Sequence, residues 1–577
     1  MKPTWRRPSA CEQAPGSPGP PEVQSWEPRV HSVLTAAEMR EVDRRTIEMG
    51  IPGIVLMENA GHRVVEFLVE RFAPLSAHRI VVLCGKGNNG GDGLVVARQL
   101  YTRFRLRALH VVLFADPDEL KGDAAANYRM LEACGCPVAR EIPLDARYAT
   151  LLLDALLGTG ISGPATGAML EAIREINHGF PLAKVVAVDI PSGMPSDSGE
   201  PVGEFARADA TVTFTAFKVG QVLPPNCDHV GELVVGPIGS PAALFEGIPL
   251  CLVAPEMFQT LLAPRPPGGH KGTFGHVLVV AGSEGKTGAA AMAGLAALRA
   301  GAGLVTVAST AGAIPQIASH APELMTAPFE GTGLEHLAEG KTVIAMGPGL
   351  GRSSEIETLV VNAVQQFGQP MVLDADALVP QAFPLVPGSA GGLAAGDRTG
   401  GKAADASGST QDTGGKTAGA TIATRVLTPH PGEMARLTGK TIAEIQKDRV
   451  QAARAFATER QVTLVLKGQR TVIAFPDGRV WINPTGTPAM GKGGSGDILT
   501  GLIAGFLAQF PQDPDRAVAA AVYLHGLAGE IGAQALGEKC LIATDLLRYL
   551  PEALRFQRWG RRFRLPRPLA GDSDSRL

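Results

Sequence analysis

Asn483-Pro484-Thr485-Gly486-Thr487-Pro488-Ala489-Met490-Gly491-Lys492-Gly493-Gly494-Ser495-Gly496-Asp497-Ile498-Leu499-Thr500-Gly501 is the run around which the rest of the chain is organised. Apolar residues at Ile498, Leu499, Leu502, Ile503, Phe506 and Leu507 have the three-and-four spacing of an amphipathic helix, so Gly493 to Gly496 stand where that helix begins. Free backbone N–H groups and the positive end of the dipole attract anions there, and glycine removes the Cβ atoms that would keep a phosphate away. Asp497, in the first turn, is awkward beside a phosphate unless it takes a proton from a substrate hydroxyl during phosphoryl transfer. The same residues equally suit a plain helix start, a glycine turn followed by a dipole-complementing acid.

Immediately upstream, Asp477-Gly478 predicts a hairpin between Val472 to Phe475 and Val480 to Ile482. Further upstream lies an α/β series with strands at His276 to Gly282, Leu304 to Ala308, Thr342 to Met346, Met371 to Asp374, Arg425 to Thr428 and Val462 to Leu466, and an Ala-rich helix from Gly288 to about Gly301. Four loops accompany these strands: His270-Lys271-Gly272-Thr273-Phe274-Gly275, Gly347-Pro348-Gly349-Leu350-Gly351, Asp374-Ala375-Asp376-Ala377-Leu378 and Thr428-Pro429-His430-Pro431-Gly432-Glu433. Lys467-Gly468-Gln469-Arg470-Thr471 adds cationic and hydroxyl groups suited to a nucleotide phosphate or ribose. Taken singly each is also an ordinary turn, and Lys467 an exposed lysine at a strand end.

A chain of 577 residues exceeds one core and calls for two or more domains. With 45% hydrophobic and 19% charged residues the composition is globular, and the net charge of -3 leaves no global footprint for nucleic acid. Seventy glycines against 5% aromatics favour an α/β protein with many tight turns. Of the 7 cysteines only Cys134 and Cys136 lie close together, so reduced thiols in a cytoplasmic protein are expected. No apolar run is long enough to span a membrane, and the N-terminus has no apolar signal core, so no membrane partner is expected.

Residues 1–30, rich in Pro, Gly, Ser and Glu, read as a disordered extension. Thr35-Ala36-Ala37-Glu38 is a capping box opening a helix through Met39, Val42 and Ile47, and a second helix runs through Met57 to about Phe72. The strand Ile80 to Cys84 leads into Gly85-Lys86-Gly87-Asn88-Asn89-Gly90-Gly91-Asp92-Gly93, with a helix expected from Leu94. This run is neither a Gly-x-Gly-x-x-Gly nor a Walker loop; its amides and carboxylate suit a cation, or a ribose and amide group, better than a triphosphate. Strands at Leu109 to Phe114, Leu151 to Leu157, Val185 to Ile190 and Val212 to Phe217 follow. Two end in polar loops, Asp154 to Pro164 and Asp189-Ile190-Pro191-Ser192-Gly193, which would share a crevice with Asn88 to Asp92 in an open parallel sheet. The expected organisation is a first domain over 31–240, a linker and domain start over 241–269, and a second domain over 270–554. The low-complexity stretch 388–420 should form a mobile surface loop, and the basic tail 555–577 a solvated terminus.

The loops of the second half, taken in order with Asn483-Pro484-Thr485-Gly486 and Gly493 to Asp497, resemble the nucleotide-dependent NAD(P)H-hydrate dehydratases of the ribokinase-like superfamily. Met57-Glu58-Asn59-Ala60-Gly61, the Gly85 to Gly93 run, Asp154-Ala155-Leu156-Leu157-Gly158-Thr159-Gly160 and Asp189 to Gly193 resemble the NAD(P)H-hydrate epimerases, which have a Rossmann-like fold. The resemblance covers about Leu34 to Leu554 and implies an N-terminal Rossmann-like three-layer domain plus a C-terminal ribokinase-like α/β domain. It also implies repair of hydrated NADH and NADPH by an isomerase fused to a lyase, with ADP favoured over ATP, magnesium accompanying the nucleotide, and a homo-oligomeric assembly. On this resemblance the epimerase hydrate site takes Asn88, Asn89, Gly90, Gly91, Asp92, Gly158, Thr159, Gly160, Ile161, Ser162, Gly163, Pro164 and Asp189, with Asp189 as acid/base. Asn89, Asp154 and Ser192 would bind potassium, and Lys218 near this site is read as structural. In the dehydratase, Ala289, Gly349, His430 and Asp497 would meet the hydrate. Lys467, Gly468, Gln469, Arg470, Thr471 and Gly496 would hold the nucleotide, and Asp497 would activate the hydroxyl. Lys492 replaces an expected Thr and Thr487 an expected Asn, so an extra cation beside the phosphate loop bears on nucleotide choice. The rival reading is a ribokinase-type kinase of a small alcohol fused to a Rossmann-like binding module.

Overall fold

The computed structural model describes residues 31–161, 163–329, 333–386 and 423–556; the expected extension, the 388–420 stretch, Ser162 and the tail from residue 557 lie outside the described residues. Thr35 and Glu38 form the expected capping box: Thr35 Oγ1 accepts from the Glu38 N–H at 3.2 Å, and Glu38 Oε2 from the Thr35 N–H at 2.8 Å. Helix Ala36–Glu48 follows.

The first sheet has seven strands in the order Val138–Ala139, Ala108–Leu113, Arg79–Cys84, Leu151–Ala155, Lys184–Val188, Ala210–Phe214, Glu232–Gly236. Every pairing in it is parallel. Alternation along Arg79–Cys84 explains the layers. Ile80, Val82 and Cys84 pack with Val64, Leu68 and Leu94 on one face, while Val81 and Leu83 pack with Ala172 and Ile176 on the other. The strand is apolar throughout because helices cover both faces.

Asn88 to Gly93, expected as a loop before a helix at Leu94, is instead the first turns of helix Asn88–Arg103. The glycines serve close packing there. A Cβ on Gly90 would lie 1.8 Å from the Gly85 carbonyl oxygen, and one on Gly93 would lie 2.6 Å from Ala155 Cβ.

The second sheet has ten strands in the order Leu250–Leu252, Val480–Ile482, Val472–Ala474, Thr463–Leu466, Arg425–Leu427, Met371–Leu373, Val343–Met346, His276–Val280, Leu304–Ser309, Met325–Pro328. Two pairings are antiparallel, Val472–Ala474 with Val480–Ile482 through the hairpin at Asp477-Gly478 and Val472–Ala474 with Thr463–Leu466 through the Lys467 to Thr471 loop, and the remaining pairings are parallel. Leu250–Leu252, inside the stretch expected as linker and domain start, is already an edge strand of this sheet.

Helix Ser495–Gln509 crosses helix Thr287–Ala300 at backbone contact. A Cβ on Gly501 would sit 2.1 Å from the Ala293 carbonyl oxygen and one on Gly505 2.6 Å from that of Ala297, so the crossing itself is lined by glycine and alanine.

The two halves share apolar packing. Val33, Ile190, Phe217 and Val219 belong to the same buried cluster as Leu250, Val280, Leu373 and Leu464. No helix among the described residues is long and apolar enough to cross a membrane.

Candidate active sites

Four neighbouring parallel strands of the second sheet end on the loops singled out above, so Gly347 to Gly351, Asp374, His430 and Lys467 emerge along one edge. Asp374 is the anchor. Its Oδ1 lies 2.7 Å from Lys467 Nζ, and its Oδ2 accepts from Thr500 Oγ1 at 2.8 Å. Thr500 and Asp497 lie one turn apart on helix Ser495–Gln509, so this bond carries the ion pair to the turn that holds Asp497. A Cβ on Gly496 would be 3.3 Å from Lys467 Nζ and 3.6 Å from Asp374 Oδ2, so the glycine lies directly against the ion pair and a side chain there would crowd it.

Burial first, and then the charge of Asp374, push the Asp497 carboxyl up to about 6, with Lys467 opposing. Burial alone would lower the Lys467 ammonium, but Asp374 and Glu433 outweigh it and raise it; Glu433 Oε2 stands 3.7 Å away. Lys467 is therefore a largely shielded counterion and not an exposed lysine at a strand end.

The helix start at Ser495 has no side-chain cap on its free N–H groups, and its preceding residue Gly494 has φ 95. A Cβ on Gly494 would press on Met292 and Ala543 at 2.8 and 2.9 Å. Lys492 points away, donating to the Lys539 carbonyl at 2.7 Å. Thr487 Oγ1 accepts from the Ala489 N–H at 3.3 Å and caps the short turn Pro488–Met490.

Gly349, at φ 63, adjoins Ala289: a Cβ built on it would lie 3.2 Å from Ala289 Cβ, and Ser283 Oγ donates to its carbonyl at 2.8 Å. His430 caps helix Pro431–Thr438 through Nδ1, accepting from the N–H groups of Gly432 and Glu433 at 3.0 and 3.3 Å; its Nε2 lies 3.5 Å from Glu433 Oε1, and the side chain is 57% exposed. Glu433 joins it to the Lys467–Asp374 pair. Lys467 to Thr471 is tied to the opening run by Arg470 Nη1 on the Pro484 carbonyl at 2.7 Å and the Asn483 N–H on the Thr471 carbonyl at 2.8 Å. Gly468 and Gln469 are exposed.

In the first domain Asn89, Asp154 and Ser192 converge. Ser192 donates to both Asp154 oxygens, Oγ to Oδ1 at 2.5 Å and N–H to Oδ2 at 2.8 Å, and Asn89 Nδ2 donates to the Leu157 carbonyl at 3.0 Å. Asn89 Oδ1 is buried without a partner. Burial pushes the Asp154 carboxyl up to about 6, with the Ser192 bonds opposing. This all-oxygen set, with one carboxylate and one orphaned amide oxygen, fits a hard monovalent cation.

Asn89, Gly90, Gly91 and Asp92 are buried at the start of their helix, with Asn88 exposed at its tip. Gly158 lies against Asn89; Thr159 and Ile161 are half-buried, and Gly160, Gly163 and Pro164 form an exposed rim. Asp189 has φ 64 and is held by Lys218 Nζ at 2.5 Å, Thr213 Oγ1 at 3.1 Å and Gln221 Nε2, which donates to its carbonyl at 2.6 Å. Lys218 is 1% exposed, and its other N–H groups are spent on Thr213 Oγ1 and the Phe214 carbonyl at 2.7 and 2.9 Å. Reading it as merely structural understates its place, because it grips the candidate acid/base directly.

Burial pushes the Asp92 carboxyl well up, reinforced by Asp189 and Asp43. Asp43 itself is raised to about 6 by burial, and one of its oxygens is buried without a partner. The sequence reading passed over Asp43, although it falls with Met39, Val42 and Thr46 on the apolar stripe of its helix, where a carboxylate is out of place. Asp374 and Glu433 carry no such signal, because a carboxylate after a strand or in the first turn of a helix is ordinary.

Two family models match the chain: YjeF-related protein N-terminus over residues 53–220, and NAD(P)H-hydrate dehydratase over 277–383 and 403–552. The bifunctional NAD(P)H-hydrate repair enzyme Nnr of Moorella thermoacetica is 41% identical over 549 residues, 91% of this chain and 96% of that protein. Its counterpart in Thermofilum pendens is 36% identical over 543 residues, 91% of this chain and 96% of that protein. A crystal structure of the ADP/ATP-dependent NAD(P)H-hydrate dehydratase from Bacillus subtilis, co-crystallised with ATP/Mg2+, is 34% identical and covers 53% of this chain and 98% of its own, with a TM-score of 0.44. The first family model falls on the seven-stranded sheet and the second on the ten-stranded sheet, so the two α/β halves each have their own match. With relatives matching it nearly end to end, the chain belongs to the family of bifunctional NAD(P)H-hydrate repair enzymes, in which an epimerase and a nucleotide-dependent dehydratase share one polypeptide.

Proposed function

We propose that the second domain dehydrates the S hydrate of NADH or NADPH with ADP as the favoured phosphoryl donor, and that the first domain interconverts the R and S hydrates. The observation that carries the reading is Asp497, on an uncapped helix start, with its carboxyl pushed up to about 6 beside the Lys467–Asp374 pair. The hydrate hydroxyl is a poor leaving group. Asp497 takes its proton as the hydroxyl oxygen attacks the terminal phosphate of the nucleotide, and the bond from that phosphorus to the leaving nucleotide breaks. The N–H groups from Gly493 to Gly496 receive the charge that grows on the transferred phosphate, while Lys467 to Thr471 hold the remainder of the nucleotide. The ring nitrogen lone pair then expels the phosphate, and loss of a proton from the neighbouring carbon restores the dihydronicotinamide. Magnesium enters with the nucleotide as part of that substrate. Ala289, Gly349 and the exposed edge of His430 form the hydrate side of the site.

In the first domain, Asp189 exchanges the proton during reversible loss and return of the hydroxyl, with Lys218 fixing its orientation. Asn88 to Asp92 and Gly158 to Pro164 embrace the hydrate. Asn89 Oδ1, Asp154 and Ser192 Oγ would hold potassium, which when bound supplies a fixed positive charge between those loops. A cytoplasmic setting is supported by the six cysteines among the described residues, all free thiols.

The test is recovery of reduced-nicotinamide absorbance from the R epimer of NADPH hydrate, which requires both domains, run separately with ADP and ATP. Faster recovery with ADP is expected. A stable phosphorylated product in place of NADPH would support the small-alcohol kinase instead.

A further inference from the structure

We propose that Asp228, a residue of the first domain, is a positioning residue for the nucleotide loop of the second, so that nucleotide use by the dehydratase depends on the epimerase domain. The inference rests on reading Lys467 to Thr471 as nucleotide-binding.

That loop has a demanding backbone. Gly468 has φ 139 and Arg470 has φ 55, two left-handed positions within five residues, one of them not glycine. Such a shape persists when the surroundings hold it. From the loop's own domain, Arg449 does so: Nη1 donates to the Gln469 carbonyl at 2.6 Å, and Nη2 to the Lys467 and Leu466 carbonyls at 3.0 and 3.2 Å. A Cβ on Gly468 would lie 2.8 Å from Arg449 Nη2, so the guanidinium occupies the space a side chain would need.

The other hold comes from across the domain junction. Gln469 Nε2 donates to Asp228 Oδ1 at 2.5 Å and lies 3.8 Å from Cys227 Sγ. Arg470 faces the same Cys227, whose thiol is pushed up by burial with Arg470 opposing. Asp228 is well placed to act as an anchor. It lies in the short turn Asn226–His229, which is pinned where Asn226 Nδ2 donates to the Ser198 carbonyl at 3.0 Å and its N–H to the Gly199 carbonyl at 3.1 Å.

Ser198 and Gly199 also line, with Leu223, Pro224 and Arg449, a junction cavity of about 300 Å³, so both grips on the loop are footed in one interdomain seam. Arg449 fixes the main chain of Gln469 and Asp228 fixes its side chain. A carboxylate accepting from an amide is a charge-assisted bond, stronger than a neutral one, though partly screened here because Gln469 is exposed.

The experiment uses the full chain and S hydrate. In Asp228→Ala the KM for ADP should rise about three- to tenfold, with kcat within about twofold and R/S interconversion unchanged. Gln469→Ala, which removes the positioned side chain itself, should raise the KM for ADP at least as much, and adding Asp228→Ala to it should raise the KM no further, because Asp228 acts through Gln469. Asp228→Asn, nearly the same in size, should fall between wild type and Asp228→Ala, and its epimerase rate reports that the first domain is folded. Amide exchange over 467–471 with and without ADP tests the underlying reading. Protection by ADP with an unchanged KM in Asp228→Ala, or additive effects in the double variant, would overturn this inference alone. Absence of ADP protection over 467–471 would overturn the nucleotide-loop assignment and this inference with it.

Discussion

Lys467 Nζ stands 2.7 Å from Asp374 Oδ1, and the other oxygen of Asp374 accepts from Thr500 at 2.8 Å, one turn beyond Asp497. The Asp374 side chain is 2% exposed and that of Lys467 19%, so removing the carboxylate strands a cation in a largely dry place. Asp374→Ala is expected to destabilise the protein by about 3 kcal/mol in denaturant unfolding, the usual cost of breaking a buried pair. Thr500→Val, which removes the bond Thr500 Oγ1 donates to Asp374 and keeps the volume, should cost about 1 kcal/mol.

Asp497→Asn should abolish dehydration, a loss of at least about a hundredfold, while R/S interconversion continues. As the proton acceptor Asp497 must be ionised, so in the parent protein dehydration should fall as pH drops through about 6. The stability effect has the opposite sense. A carboxyl raised in the fold contributes stability below its ordinary value and loses it as pH rises through about 6, so at pH ~8 Asp497→Asn should unfold at a higher temperature than the parent. Loss of both activities with the fold intact would contradict separate sites.

Lys218→Met should lower kcat for epimerisation by about a hundredfold or more, because Asp189 loses its 2.5 Å partner, and leave the KM for the R hydrate within a few-fold. Dehydration of pure S hydrate by the same sample should be unchanged and serves as the check on folding. Thr213→Val, which removes the hydroxyl shared by Lys218 and Asp189, should show a smaller fall in the same constant.

Replacing potassium by sodium should slow epimerisation and leave dehydration of the S hydrate untouched. In Asn89→Ala, which removes the orphaned buried oxygen, epimerisation should become insensitive to the exchange. An Asn89→Ala enzyme that still responds to potassium would remove Asn89 from the cation site.

Short-range features were legible from sequence because their physics is short-range. The Thr35–Glu38 box, the Asp477-Gly478 hairpin and the helix start beside Asp497 each depend on residues a few positions apart, and each stands in the structure as the pattern predicted. The Asn88 to Gly93 run did not, because glycines that suit a loop equally suit a helix pressed onto the Gly85 backbone, and only the packing distinguishes them.

By itself the sequence determined two α/β halves and the order of their loops, and it singled out Asp497 and Asp189 as candidates for the chemistry. Tertiary structure alone decided what surrounds those carboxylates. Asp374 meets Lys467 across 93 residues and Thr500 across 126, Asp43 faces Asp92 and Asp189 from the opening helix, and Asp228 reaches Gln469 across 241 residues from the other domain. Strand order and helix crossing set those meetings, and no local periodicity encodes them. The charge state and grip of each acid therefore follow from the fold, while its position in a motif follows from the chain.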